Sequence, residues 1–184
     1  MYSNEEIMAF LNKRKGILDG VAITGGEPTL TPGIADFIKD VRELGYKVKL
    51  DTNGTRPDVL KDIVSRGLVD YVAMDIKNCR ERYGETVGFD SSFDLRPIDE
   101  SISFLMGARV DFEFRTTVTK NFHTKDDIRK IGQWLSGEEK FFLQQFKDSG
   151  DVIGDGIYAY SDDEMRGLLD IILPFVPNAQ LRGI

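Results

Sequence analysis

Residues 21–50 read VAITGGEPTLTPGIADFIKDVRELGYKVKL. The stretch opens on Val21-Ala22-Ile23-Thr24, a short β-branched run suited to a buried strand. Gly25-Gly26 follows, and two glycines let the backbone take positive φ and approach a neighbour closely. Thr31-Pro32 restarts the chain as a helix, with Thr as cap and Pro at the first helical position. Ile34, Phe37, Ile38, Val41 and Leu44 then share one helical face, and Gly45 ends it. Lys47 to Leu50 reads as the next strand. Strand, helix and strand at this spacing form a βαβ unit, which predicts parallel pairing.

The same alternation extends in both directions. Ser3 and Glu6 have capping-box spacing for a first helix whose stripe is Ile7, Phe10 and Leu11, with Gly16 as its stop. Asp58 to Arg66 is helical, and Tyr71-Val72-Ala73-Met74 is a buried strand. Arg80 to Pro97 lacks periodicity and reads as a long loop with one short helix; such loops often carry function. Ile98 to Met106 is helical and Phe112 to Val118 a strand. Thr124 with Asp127 caps a helix carrying Ile128, Ile131, Trp134 and Leu135. Phe141 to Phe146 is a strand, and Ser161 with Glu164 caps a last helix before a final strand from Val176 to Leu181. About five or six strands is fewer than a closed barrel needs. The reading is α/β, an open, partial (β/α) barrel in one domain over residues 1–184.

Composition narrows the function. The 184 residues hold 24 Lys and Arg against 31 Asp and Glu, a net charge of −7. That argues against a general nucleic-acid clamp, which needs a basic face. No apolar run approaches the roughly 20 residues that span a membrane, and the first ten residues lack a secretory signal's apolar stretch. One cysteine, Cys79, excludes an internal disulfide, and a cytoplasmic protein is expected. Cys79 reads as a bystander, and His123, the one histidine, as a solvated or capping residue at a helix start.

Polar residues close successive strands. Glu27 hangs beyond the first, where it could accept from an ammonium group. Asp51-Thr52-Asn53-Gly54 closes the second; it is a turn signal and also a set of oxygen ligands. Alternation puts Asp75 and Lys77 on one face, as a mutual salt bridge or as contacts to a zwitterion. Glu113 and Arg115 also share a face, as an ion pair or as ligand contacts, and Gln144 and Gln145 end the next strand. In parallel α/β sheets ligands sit at the carboxyl ends of the strands. A ligand with an ammonium, a carboxylate and several hydroxyls would suit these groups.

Val21-Ala22-Ile23-Thr24-Gly25-Gly26-Glu27-Pro28 resembles the GGEP motif of radical S-adenosylmethionine (SAM) enzymes. Leu50 to Thr55, Ala73 to Lys77, Glu113 to Thr117 and Leu143 to Phe146 extend the likeness, in order, to the glycyl-radical-enzyme activases. The subgroup most similar is the anaerobic ribonucleoside-triphosphate reductase activating proteins. The resemblance implies a [4Fe-4S] cluster that passes one electron to SAM. The 5′-deoxyadenosyl radical so made takes a hydrogen atom from a glycine of the partner enzyme. It implies an anaerobic ribonucleotide reductase as partner, and flavodoxin or ferredoxin as electron donor. By position, Gly25, Gly26 and Glu27, with Pro28 beside them, would hold the methionine ammonium, and Lys77 its carboxylate. Asp51, Thr52 and Asp75 match positions that bind a monovalent cation beside SAM. Asn53 and Arg115 complete the SAM-binding set, and Gln144 would approach the adenosine.

The resemblance also implies three cysteines, CxxxCxxC, upstream of GGEP, and this sequence has none there. The expectation is therefore a radical SAM core without its cluster loop and first strand, inactive as written, whose exposed first-strand edge pairs in a dimer. Two other readings stand beside it. One is a non-catalytic module that binds SAM or docks a glycyl radical enzyme. The other is a radical SAM enzyme acting on a small molecule, of pyruvate formate-lyase-activase or deazapurine-synthesis type.

Overall fold

A computed structural model describes residues 2–89, 92–137, 140–147 and 156–184. In chain order its elements are α1 (Asn4–Lys13), β1 (Gly20–Ile23), α2 (Ile34–Glu43), β2 (Lys47–Thr52), α3 (Pro57–Ser65) and β3 (Tyr71–Asp75). Then come α4 (Tyr83–Thr86), α5 (Arg96–Gly107), β4 (Asp111–Val118), α6 (Lys125–Trp134), β5 (Phe141–Gln145), α7 (Asp162–Ile172) and β6 (Gln180–Arg182). The strands follow chain order in the sheet, β1-β2-β3-β4-β5-β6. This is the α/β class, with a parallel sheet and connecting helices, that the alternation predicts. No helix among the described residues is long and apolar enough to cross a membrane.

The chain divides into two compact units. The first holds the residues up to Met74 together with Arg96–Phe112. In it β1 pairs with β2 and β2 with β3, both parallel, with Ala22 level with Lys49 and Asp51 level with Ala73. Period-two alternation sorts β2: Val48, Leu50 and Thr52 are buried, whereas Lys47, Lys49 and Asp51 point the other way. Val48 and Leu50 join Ile38 and Val41 of α2, Leu60 and Ile63 of α3, and Ile98, Ile102 and Leu105 of α5 in the core. α1 has its predicted capping box, Ser3 with Glu6. The start of α2 differs from expectation. Residues Pro28–Leu30 form a 3₁₀ turn, and Gly33, at φ 76°, precedes the helix at Ile34. Pro32 therefore lies ahead of the helix rather than at its first position.

The second unit holds Asp75–Leu95 and Glu113–Ile184. β4 pairs with β5 and β5 with β6, both parallel. Phe114, Val118, Phe141 and Leu143 are buried with Ile128, Ile131 and Leu135 of α6 and its neighbour, and with Met165, Leu168 and Ile172 of α7. The opposite face is polar but for Phe142. Register places Arg115 beside Phe142, Thr117 beside Gln144, and Gln144 beside Arg182. Thr124 with Asp127 and Ser161 with Glu164 cap α6 and α7 as predicted. The irregular stretch from Arg80 holds a 3₁₀ turn, Arg80–Arg82, and α4, while α5 begins at Arg96. Residues 90 and 91 of that stretch lie outside the described residues.

Candidate functional site

The GGEP turn leaves β1 with Gly25 at φ 128°, a conformation side-chain-bearing residues rarely adopt. No heavy atom lies within 4 Å of where a Cβ would stand on Gly25 or Gly26, so this backbone faces open space. Glu27 does not hang free. Its Oε1 accepts from the Thr29 N–H at 3.1 Å, from the Thr29 hydroxyl, and from the Thr52 hydroxyl at 2.8 Å. Its Oε2 accepts from the Asn53 N–H at 2.6 Å. One carboxylate thus caps the 3₁₀ turn after β1 and clamps the end of β2. Thr52 Oγ1 also accepts from the Gly54 N–H at 3.1 Å, and Asn53 Oδ1 accepts from Thr55. The Ser101 hydroxyl of α5 donates to the Gly54 carbonyl at 2.7 Å. Asp51 is paired with Lys49 at 2.7 Å.

In the second unit Asp75 is the hub. Lys77 Nζ lies 2.8 Å from its Oδ2, and Arg115 Nε donates to its Oδ1. Both alternatives open for Asp75 and Lys77 can coexist, because the Lys77 side chain is 42% exposed and retains donors beyond this bond. Glu113 takes a two-bond clasp from Arg182, at 2.7 and 2.9 Å. Arg182 also stacks 3.8 Å over the Phe142 ring. Gln144 is half-buried on that face, whereas Gln145 donates to the Tyr160 carbonyl and to Asp162.

The segment after β3 is fastened by residues that sequence reasoning passed over. Asn78 Nδ2 donates to the Phe122 carbonyl and to Thr86, and its Oδ1 accepts from the Cys79 N–H. Arg82 donates to the same Phe122 carbonyl and pairs with Asp127 at 2.8 Å. His123, expected to be solvated, is 2% exposed. Its ring is wedged between the Lys77 carbonyl and the Thr119 N–H. Only a spacing signal was available for it, a lone histidine before the Thr124 cap, and that does not reveal a partner 46 residues away.

An α/β chain with a polar sheet face and polar strand ends is the framework of a ligand-binding α/β enzyme core. The radical SAM superfamily profile matches residues 2–133, and the chain belongs to that superfamily. It is 31% identical over 171 residues to a Methanocaldococcus jannaschii protein named as a glycyl-radical enzyme activating enzyme, covering 90% of this chain and 71% of the relative. It is also 31% identical over 133 residues to the 7-carboxy-7-deazaguanine synthase of Koribacter versatilis, covering 70% of this chain and 54% of the relative. Among solved structures, a domain of the pyruvate-formate lyase-activating enzyme of Bacteroides vulgatus superposes with a TM-score of 0.68 at 17% identity, over 90% of this chain and 100% of that one. Streptococcus suis SuiB bound to S-adenosylmethionine gives 0.72 at 16% identity, over 99% and 44%.

Membership of this superfamily implies SAM and a [4Fe-4S] cluster. The two fit differently. Fe–S clusters are held by cysteine thiolates. Cys79 is the one cysteine; it is buried, its thiol donates to Asp127 at 3.3 Å, and burial pushes it up to about 11. No group of three or more His, Cys, Asp or Glu among the described residues could hold a metal. The residues present therefore do not fit the cluster. For SAM the donor set does fit, unit by unit: an open glycine backbone beside the Glu27 clamp, and a half-exposed ammonium on Lys77. The residues expected to bind a cation, Asp51, Thr52 and Asp75, are each engaged by partners in their own unit.

Proposed function

We propose that this chain is the SAM-binding core of a glycyl-radical-enzyme activating enzyme whose target is an anaerobic ribonucleotide reductase. The observation that carries the activase reading is the 31% identity over 90% of the chain to a relative named as a glycyl-radical enzyme activating enzyme; the reductase as target rests on the motif resemblance alone. The backbone of Gly25 and Gly26 receives the methionine ammonium, and Glu27 keeps Thr52 and Asn53 in place around it. Lys77, steadied by Asp75, meets the carboxylate; Arg115 holds Asp75 from the other side. Gln144 faces the adenosine. When bound, SAM is the source of a carbon radical in this superfamily. A [4Fe-4S] cluster, which the residues of this sequence do not fit, would supply the reducing electron, with flavodoxin or ferredoxin as its donor.

Calorimetric titration tests the reading. SAM binds the wild-type chain, and Lys77→Met weakens it about tenfold, the effect of losing one charged hydrogen-bond partner. No heat at millimolar SAM overturns it. A second reading, small-molecule chemistry of the deazapurine-synthesis type, is favoured by the identity to the Koribacter synthase. The discriminating ligand is a peptide from the glycine loop of an anaerobic ribonucleotide reductase. Binding of that peptide with SAM present supports activation; its absence favours the small-molecule reading.

A further inference from the structure

His123 is deeply buried, is the chain's sole histidine, and has no part in the reading above. Its two ring nitrogens meet two backbone groups of opposite kind. The Thr119 N–H can only donate, and it points at Nδ1 from 3.2 Å. Nδ1 must then be the bare nitrogen, which puts the ring proton on Nε2. Nε2 lies 2.8 Å from the Lys77 carbonyl, which can only accept. The neutral Nε2–H tautomer satisfies both contacts; the other tautomer sets donor against donor and acceptor against acceptor. The contact falls on the backbone of the residue whose side chain is to hold the SAM carboxylate. Other ties keep the ring in place. The His123 N–H donates to the Thr119 carbonyl at 3.0 Å, and the Tyr160 hydroxyl donates to the His123 carbonyl. Asn78 and Arg82 both donate to the neighbouring Phe122 carbonyl.

We propose that His123 is a positioning residue for Lys77: its Nε2–H fixes the Lys77 carbonyl, two residues past the end of β3, and so the direction in which the ammonium leaves the backbone. The inference rests on the reading that Lys77 binds the SAM carboxylate. Protonation defeats the device, because an Nδ1–H would face the Thr119 N–H. Among the described residues, the charges that act on the ring are Asp127, which favours the imidazolium, and Arg82, which opposes it; the Tyr160 hydroxyl meets the His123 carbonyl, and Lys77 meets the ring through its backbone. Burial, the largest influence, holds His123 below its ordinary value.

The test is a double-mutant cycle on the SAM dissociation constant, measured by calorimetry on the full chain. Lys77→Met raises it about tenfold and His123→Leu about threefold or more, the scale of one lost hydrogen bond. Because His123 acts through Lys77, His123→Leu adds less than about twofold when Lys77 is already Met. A full additional factor in that background makes His123 merely structural and overturns the inference. An unchanged constant for His123→Leu does the same. His123→Gln carries an amide N–H where Nε2 stood, and it keeps the wild-type constant at pH 7.5. As pH is lowered until the His123 ring takes its proton, followed by the ring's NMR signals, the wild type weakens and His123→Gln does not; identical profiles across that titration overturn the inference even should His123→Leu fail to fold. If Lys77→Met leaves the constant unchanged, the underlying reading has failed, and this inference with it.

Discussion

At the scale of single residues, Glu27 shows how a group can be singled out by sequence and its work still be hidden. Its place after the glycine pair was legible. Its partners were not, because Thr52 and Asn53 lie 25 and 26 residues further on, at the end of another strand. The geometry makes a prediction that needs no ligand. A carboxylate is an acceptor on both oxygens, and here both are used by donors. Glu27→Gln replaces one oxygen with an NH₂ that must face either Thr52 and Thr29 or the Asn53 N–H. A donor left facing a donor in a part-buried site costs about 1–3 kcal/mol. The denaturation midpoint of Glu27→Gln is expected to fall accordingly without SAM; a midpoint equal to wild type would show that the clamp contributes nothing to the fold. His123 and Lys77 repeat the lesson in the other unit. Short-range pattern gave His123 an exposed helix start, and a long-range backbone contact buried it.

At the scale of elements, what the sequence encodes locally was read correctly. Ser3 with Glu6, Thr124 with Asp127, and Ser161 with Glu164 all close capping boxes, because such a box needs only residues three apart. The start of α2 was misplaced by a few residues because two local signals compete there. Pro28 opens a 3₁₀ turn, and Gly33 at φ 76° turns the chain before Ile34 can begin the helix. The close approach of α6 and α7 was invisible in the sequence. A Cβ on Gly132 would stand 2.9 Å from Ile172 Cγ1 and 2.9 Å from Phe175 Cδ2. Glycine in mid-helix is intrinsically poor, so a contact this tight explains its presence in α6. Gly132→Val sets two effects against each other. Valine improves helix propensity over glycine by only about 0.4 kcal/mol. Overpacking against the buried Ile172 costs about 1–3 kcal/mol, so the variant is expected to be less stable. Equal or higher stability in urea would mean that α7 yields easily.

At the scale of the whole molecule, alternation of strand and helix disclosed the class because each short apolar run is too brief to be anything but a strand between amphipathic helices. The division into two units could not be read, since it depends on contacts between residues far apart in sequence: Arg96–Phe112 folds with the N-terminal part and Asp75–Leu95 with the C-terminal part. The division has a consequence in acid. His123 and Asp127 both belong to the second unit. Burial lowers His123. For Asp127, burial acts upward but is outweighed by hydrogen bonds from Thr124, Cys79 and Arg82, and the carboxyl is held below its ordinary value. Both native forms are therefore the deprotonated ones. Stability from His123 is fully present above its unfolded value of about 6.5 and is lost as pH falls through the lower folded value. Stability from Asp127 is present above about 3.9 and lost below it by the same argument. Hydrogen exchange followed from pH 7 to 3, corrected for the intrinsic rate, is expected to show protection falling first around Lys77 to Cys79 and Thr119 to Thr124. Amides of α2 and α3 should hold. His123→Gln should remove the first of these losses and leave the second, below pH 4, in place. Equal loss in both units over the upper range would mean that His123 does not hold its unit, and that acid acts on the fold as one cooperative body.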